Sequence, residues 1–212
     1  MARAEQLDLS RPPERWRPAA MPGASHDLST IPLASVSAPF SVLGRFPVGF
    51  VRSTPGGYLV AEEFVVLSGA LWLDGRRLGP GMLVHVGAGR LREELRTPDG
   101  CLALVWFDGP PHFVPAAELP TVPDAPCHVV DLADLRDDRL ADAPGGTATE
   151  APLLVTSVSR WTRGAAAQWP ARADGFDARR WAAGASAWQG TAEDLVIWRA
   201  AASAPAPEGA RS

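Results

Sequence analysis

The sequence predicts an all-β protein built as an antiparallel barrel or sandwich, and three observations lead there. Short apolar segments rich in β-branched and aromatic residues recur along the chain, Gly/Pro clusters separate them, and the one candidate helical stretch is broken by prolines. The segments are FSVLGRF (40–46), EEFVVLSG (62–69), ALWL (70–73), MLVHV (82–86), CLALVWF (101–107), LLVTSVSRW (153–161) and DLVIWRA (194–200). Asp74–Gly75, set between two such segments, is the strongest hairpin signal.

In chain order, residues 1–25 are rich in Pro, Ala and Arg without a sustained period, and are expected to form an N-terminal arm that lies over the surface or frays. Residues 26–115 carry the first barrel. The region 116–152 reads as a linker, because Pro120, Pro123 and Pro126 interrupt a helical pattern that is free of them only near 131–141. Its end, 137–152, gathers Asp, Gly, Thr and Pro and marks the best internal boundary. Residues 153–200 form a second, shorter half, and 201–212 a flexible tail. The halves echo one another: SVLGRFPVGF resembles VTSVSRWTRGA, and Gly49 and Gly81 correspond to Gly164 and Phe176 with about one hairpin missing between them.

Composition narrows the function. With 212 residues, 46% hydrophobic and 21% charged, the chain can bury a core without staples. Its two cysteines, Cys101 and Cys127, lie far apart and read as free thiols of a reducing cytoplasm. A net charge of −4 favours neither nucleic acid nor an anionic membrane as partner, no apolar run approaches a spanning helix, and the N-terminus lacks an apolar leader core. All 20 basic residues are arginine and asparagine is absent, which removes lysine Schiff-base chemistry and suggests a GC-rich bacterial genome.

At EEFVVLSGALWLDGRRLGPGMLVHVGAG (62–89) the chain resembles the core of the cupin superfamily, and with FPVGF and CLALVWFDGPP the likeness spans about 40–110. The resemblance implies a cupin-type antiparallel jelly-roll barrel, and the internal echo a bicupin with a shortened second half. It also implies a divalent metal held by two histidines and a glutamate of the first motif and one histidine of the second. Here the glutamate is Glu62, the first two positions fall on Gly56 and Tyr58 (or on Pro55 and Gly57 if the spacing is one longer), and the last falls on Arg92. One carboxylate, no imidazole and a fixed cation do not make a Zn, Fe or Mn site. In the second half the matching turn offers Ala187 and Trp188. The expectation is a metal-free cupin with no cofactor.

Candidate chemistry then rests on four residues. Glu62 and Arg92 form either an acid/base or anion-orienting pair or a salt bridge that replaces the metal; adjacent Glu63 should face the other way. Tyr58, the only tyrosine, stands at a lost ligand position as a proton donor or a packing residue. His85 interrupts MLVHV on the face of Leu83, opposite Val84 and Val86, and titrates near neutrality as a proton carrier or sits as a core histidine. His26, His112 and His128 make no ligand pair. Eight tryptophans suggest that some line a cavity, with Trp72, Trp106, Phe64 and Met82 as its expected wall.

Two functions remain. One is a metal-independent enzyme that isomerises, cyclises, dehydrates or decarboxylates a small organic molecule; the other is a non-catalytic, ligand-binding or regulatory cupin, with a metal-dependent oxygenase third. A homodimer is compatible with either. The barrel interior separates them: an open, Trp-lined cavity reaching Glu62 favours small-molecule chemistry, and a lumen filled by side chains favours a scaffold.

Overall fold

The computed structural model describes residues 3–36, 38–120, 122, 125–136, 154–155, 159–163, 173–184 and 194–198. The proposed boundary at 137–152, Gly164, Trp169, Ala187, Trp188 and the tail lie outside them. Four segments of alternating apolar residues become strands with the expected limits, namely Phe40–Phe46, Glu62–Gly69, Met82–Val86 and Cys101–Phe107. They are neighbours in a seven-stranded sheet that runs Cys127–Asp131, Met82–Val86, Glu62–Gly69, Cys101–Phe107, Phe40–Phe46, Leu28–Pro32, Arg17–Ala19, antiparallel throughout.

A four-stranded sheet, Phe50–Arg52, Leu95–Thr97, Leu71–Leu73 and Arg76–Leu78, closes over one face of this large sheet. The pair Gly56–Tyr58 and Phe113–Pro115 completes the wall. This is the cupin-type antiparallel jelly roll that the sequence predicts. Its sharpest turn is Asp74–Gly75, where both residues take positive φ (50° and 79°), the geometry that matches the twist of a two-residue hairpin. Period-2 alternation sends Phe64, Val66, Val84, Val86, Ala103, Val105 and Phe107 into the lumen between the two sheets.

The same alternation sends Val65, Leu83, Leu104 and Trp106 to the opposite face, where a second core forms against Trp161, Phe176, Trp181, Leu195 and Ile197. Those residues belong to a six-stranded sheet in the order Gln6–Asp8, Arg180–Ala182, Ala173–Phe176, Leu195–Trp198, Arg160–Arg163, Leu154–Val155. The large sheet is therefore buried on both faces. Trp106, Trp161 and Trp181 are completely buried in this second core, and burial of roughly 150–250 Å² per indole makes them the largest single contributors to joining the halves.

Three expectations change here. The N-terminal arm is not a frayed segment: Leu7 and Leu9 are buried, and Gln6–Asp8 adds an edge strand to the second half's sheet by pairing with Arg180–Ala182. The region after the first barrel is not all linker, because Cys127–Asp131 pairs with Met82–Val86 before the short helix Leu132–Arg136. The segment 153–161 is not one strand; Leu154–Val155 and Arg160–Arg163 are separate strands that pair antiparallel.

Candidate functional site

Strand register brings three sequence candidates together in the first lumen. Glu62 opens its strand opposite Val86 and Phe107, so its side chain shares the lumen face with Phe64. Arg92 is fixed by a backbone bridge to Gly56, in which the Arg92 amide donates to the Gly56 carbonyl at 2.8 Å and the Gly56 amide donates back to the Arg92 carbonyl at 3.1 Å. The positions matched to the four ligands of a cupin metal site thus converge. What they carry is an ion pair: Arg92 Nη1 donates to Glu62 Oε2, with both residues buried. The Arg92 guanidinium also lies over the Tyr58 ring, with Cζ 4.9 Å from the centroid.

These residues do not fit a divalent metal. Glu62 is the sole carboxylate of the set and is engaged by a guanidinium, while burial pushes the Tyr58 phenol up to about 12, with the Glu62 charge adding to the rise. Gly56 cannot regain a side chain, since a Cβ there would lie 2.3 Å from the Val114 carbonyl oxygen and 2.6 Å from the Phe113 ring. The space a side chain would need there is taken by the Phe113–Pro115 strand. Among the described residues no cluster of three or more His, Cys, Asp or Glu is placed to hold a metal.

The lumen itself is almost filled. A cavity of about 20 Å³ remains, lined by Met21, Phe46, Arg52, Tyr58, Glu62, Phe64, Leu71, Leu73, Arg92, Leu95, Ala103 and Val105. That is room for about one or two water molecules, or for a solute of a few heavy atoms. Of the expected wall, Phe64 lines it and the other three do not. Met82 packs against the edge of the lumen core, where its sulfur accepts from the Gly79 amide. Trp72 points away under the Arg96 guanidinium, 4.6 Å from Cζ. Trp106 stands on the opposite face, edge-on to Trp161 at 5.9 Å. The described tryptophans with placed side chains are core or surface residues, because the period of their strands sends the three buried ones into the layer between the halves. A larger groove of about 460 Å³ lies outside the barrel, where Arg45 caps the Trp16 ring.

His85 does not join this cluster. As its alternation indicates, it shares the face of Leu83, and that face looks into the second core. There it stands opposite Glu63 in register, with Nδ1 4.0 Å from Oε2, and stacks on exposed His128. Glu63 is completely buried and is satisfied from the second half: Ser159 Oγ donates to Oε1, and Trp161 Nε1 donates to the same oxygen at 2.8 Å. Burial lowers the imidazole to about 4, with His128 adding to the effect.

Sequence reasoning passed over Arg52. It ends the short strand Phe50–Arg52, pairs with Leu95, is 1% exposed, and lays its guanidinium over the Phe113 ring at 4.5 Å. The available signal was its phase: in FVR, the arginine shares the face of the fully buried Phe50. Ser159 and Trp161 were equally hidden as partners of Glu63, since they lie 96 and 98 residues away.

The fold is an antiparallel jelly-roll barrel in which an arginine–glutamate pair stands where the resemblance to cupins expects a metal. No family model matches the chain, and no curated protein does. Among solved structures it is similar to a dioxygenase candidate from Nostoc punctiforme, with 21% identity, a TM-score of 0.47, 70% of this chain covered and 50% of that one. It is also similar to an acetylacetone dioxygenase from Acinetobacter johnsonii (15%, TM-score 0.41, 59% and 85% covered) and to oxalate decarboxylase from Bacillus subtilis (11%, TM-score 0.35, 93% and 71% covered). This chain spans half the length of the first. Among the described residues no helix is long and apolar enough to cross a membrane.

Proposed function

We propose that the chain is a metal-independent, ligand-binding barrel of cupin type that does not turn over an organic substrate. The observation that tells against turnover of an organic substrate is the small lumen: about 20 Å³ beside Glu62 and Arg92, against the roughly 300–1,000 Å³ that drug-sized ligands occupy, which leaves space for a very small solute alone. The proton-transfer groups point the same way. Tyr58 is driven away from neutrality by burial, and His85 sits on the other face of the sheet. The partner is a small solute, not nucleic acid or a membrane surface, in keeping with a net charge of −4. Free Cys101 and Cys127 accord with a cytoplasmic setting.

A second reading keeps one supporting observation, the convergence of Glu62, Tyr58 and Arg92 on one point. It is an acid/base isomerase, cyclase, dehydratase or decarboxylase acting on a small molecule, with Glu62 moving the proton. Purified protein incubated with mixtures of small organic acids and larger aromatic solutes, followed by ligand-observed NMR, separates the two. Saturable binding confined to the small solutes, all recovered unchanged, is expected. Consumption of any solute that disappears with Glu62→Gln overturns the binding reading.

A further inference from the structure

Arg52 is a buried cation with donors left over. Its Nε and Nη2 atoms are both inaccessible and have no hydrogen-bond partner among the described residues, and the same is true of Arg92 Nε. Nε and Nη2 form one edge of the guanidinium, where the two N–H bonds run parallel and match two oxygens of one planar anion. Both arginines line the lumen cavity. The cavity's only carboxylate, Glu62, is taken by Arg92 Nη1. Two guanidiniums against one carboxylate leave one unit of positive charge in the lining. Asp74, the next acid to influence Arg52, is exposed and spends an oxygen on the amides of Glu93 and Glu94. The Phe113 ring covers one face of the guanidinium but accepts neither edge proton.

We propose that the lumen of the first barrel binds a small planar monoanion, of the formate or nitrate class, gripped by the Nε–Nη2 edge of Arg52 and assisted by Arg92 Nε. The idea rests on the ligand-binding reading above and names the ligand's chemistry. Charge sets the valence, since a monoanion brings the lining to neutrality and a dianion overshoots it. Volume sets the size, since about 20 Å³ admits few heavy atoms. The cost of a desolvated cation sets the need, because a buried charge without a partner is expensive.

The test uses the full chain at fixed ionic strength, titrated with ¹³C-formate by NMR and with sodium formate or nitrate by thermal melting. A saturable response is expected, with none to neutral formamide. Arg52→Met should weaken formate binding by about tenfold or more, the scale of losing hydrogen bonds to a charged group, while Arg96→Met on the outer face leaves it unchanged. A wild-type protein that shows no saturable response to formate or nitrate, or that responds equally to formamide, overturns the site whether or not the Arg52 variant folds. Equal affinity in a folded Arg52→Met variant also overturns it. Formate that binds and is consumed sinks the non-catalytic reading and keeps the site, whereas absent binding sinks the site and leaves that reading to its own solute test.

Discussion

Glu62 and Glu63 are neighbours on one strand, both buried, yet they solve the cost of burial in opposite ways. Glu62 looks into the barrel and is neutralised by a cation from the same half, 30 residues along. Glu63 looks into the layer between the halves and is held by a hydroxyl and an indole N–H from the second half. An ion pair in a dry lumen gains little net stability, because desolvating two charges offsets their attraction, but breaking it strands a charge. Hydrogen bonds from neutral donors tie together parts of the chain distant in sequence and leave no charged partner behind when broken. The lumen glutamate is local chemistry; the outer one is a clasp between halves.

Ending the chain after residue 136 should have the largest effect on this contrast. It removes Ser159 and Trp161 from Glu63, and Trp161, Phe176, Trp181, Leu195 and Ile197 from the core that covers the large sheet. The expected outcome is an aggregated or unfolded fragment, read by sedimentation and far-UV circular dichroism. A soluble 1–136 fragment with a cooperative melt would show that the clasp is dispensable.

Single substitutions at the two glutamates sharpen the comparison. Glu62→Gln leaves Arg92 charged and buried and should cost about 3–5 kcal/mol by denaturant unfolding. Glu63→Gln keeps an oxygen for Ser159 and Trp161 and should cost less, about 1–3 kcal/mol. Replacing both lumen partners, Glu62→Leu with Arg92→Met, should recover most of the Glu62→Gln loss, because no charge is then stranded. Equal costs for the two single variants would erase the distinction between a charged lumen and a neutral clasp.

The sequence made one side of this comparison far more legible than the other. Glu62 and Arg92 were paired by the resemblance to cupins, whose matched positions converge on one point, and the Asp74–Gly75 turn was legible from its residue types; the structure brings the pair into contact. Arg52 escaped notice because its strand has only three residues, so the phase it shares with Phe50 is a weak signal by itself, and its neighbour Leu95 belongs to another strand just as short. The clasp escaped because Glu63 and Trp161 meet only through packing of two sheets, which no local period encodes. Some of the tryptophans, Trp72 and Trp106 among them, were expected to line a cavity on the strength of their number. Phase decides instead: Trp106 alternates with Val105 and Phe107, so it had to leave the lumen if those two lined it.

The smallest expected effect is optical, and it tests whether the lumen is closed. Tyr58 is the only tyrosine in the chain, so phenolate absorbance reports it alone. Burial, then the Glu62 charge, raises its pKa from 10 to about 12, against the opposing pull of Arg92 and Arg52. The native state therefore keeps the proton where the unfolded chain releases it. The stability this contributes is fully present below pH 10 and is lost as pH rises from 10 towards 12. Phenolate absorbance should stay low at pH 10 and rise together with loss of the near-ultraviolet circular dichroism of the packed core, as one transition. A folded protein whose tyrosine titrates near 10, ahead of unfolding, would have a lumen in contact with bulk water, and the contrast between a dry charged barrel and a clasped outer face would fail at its lumen side.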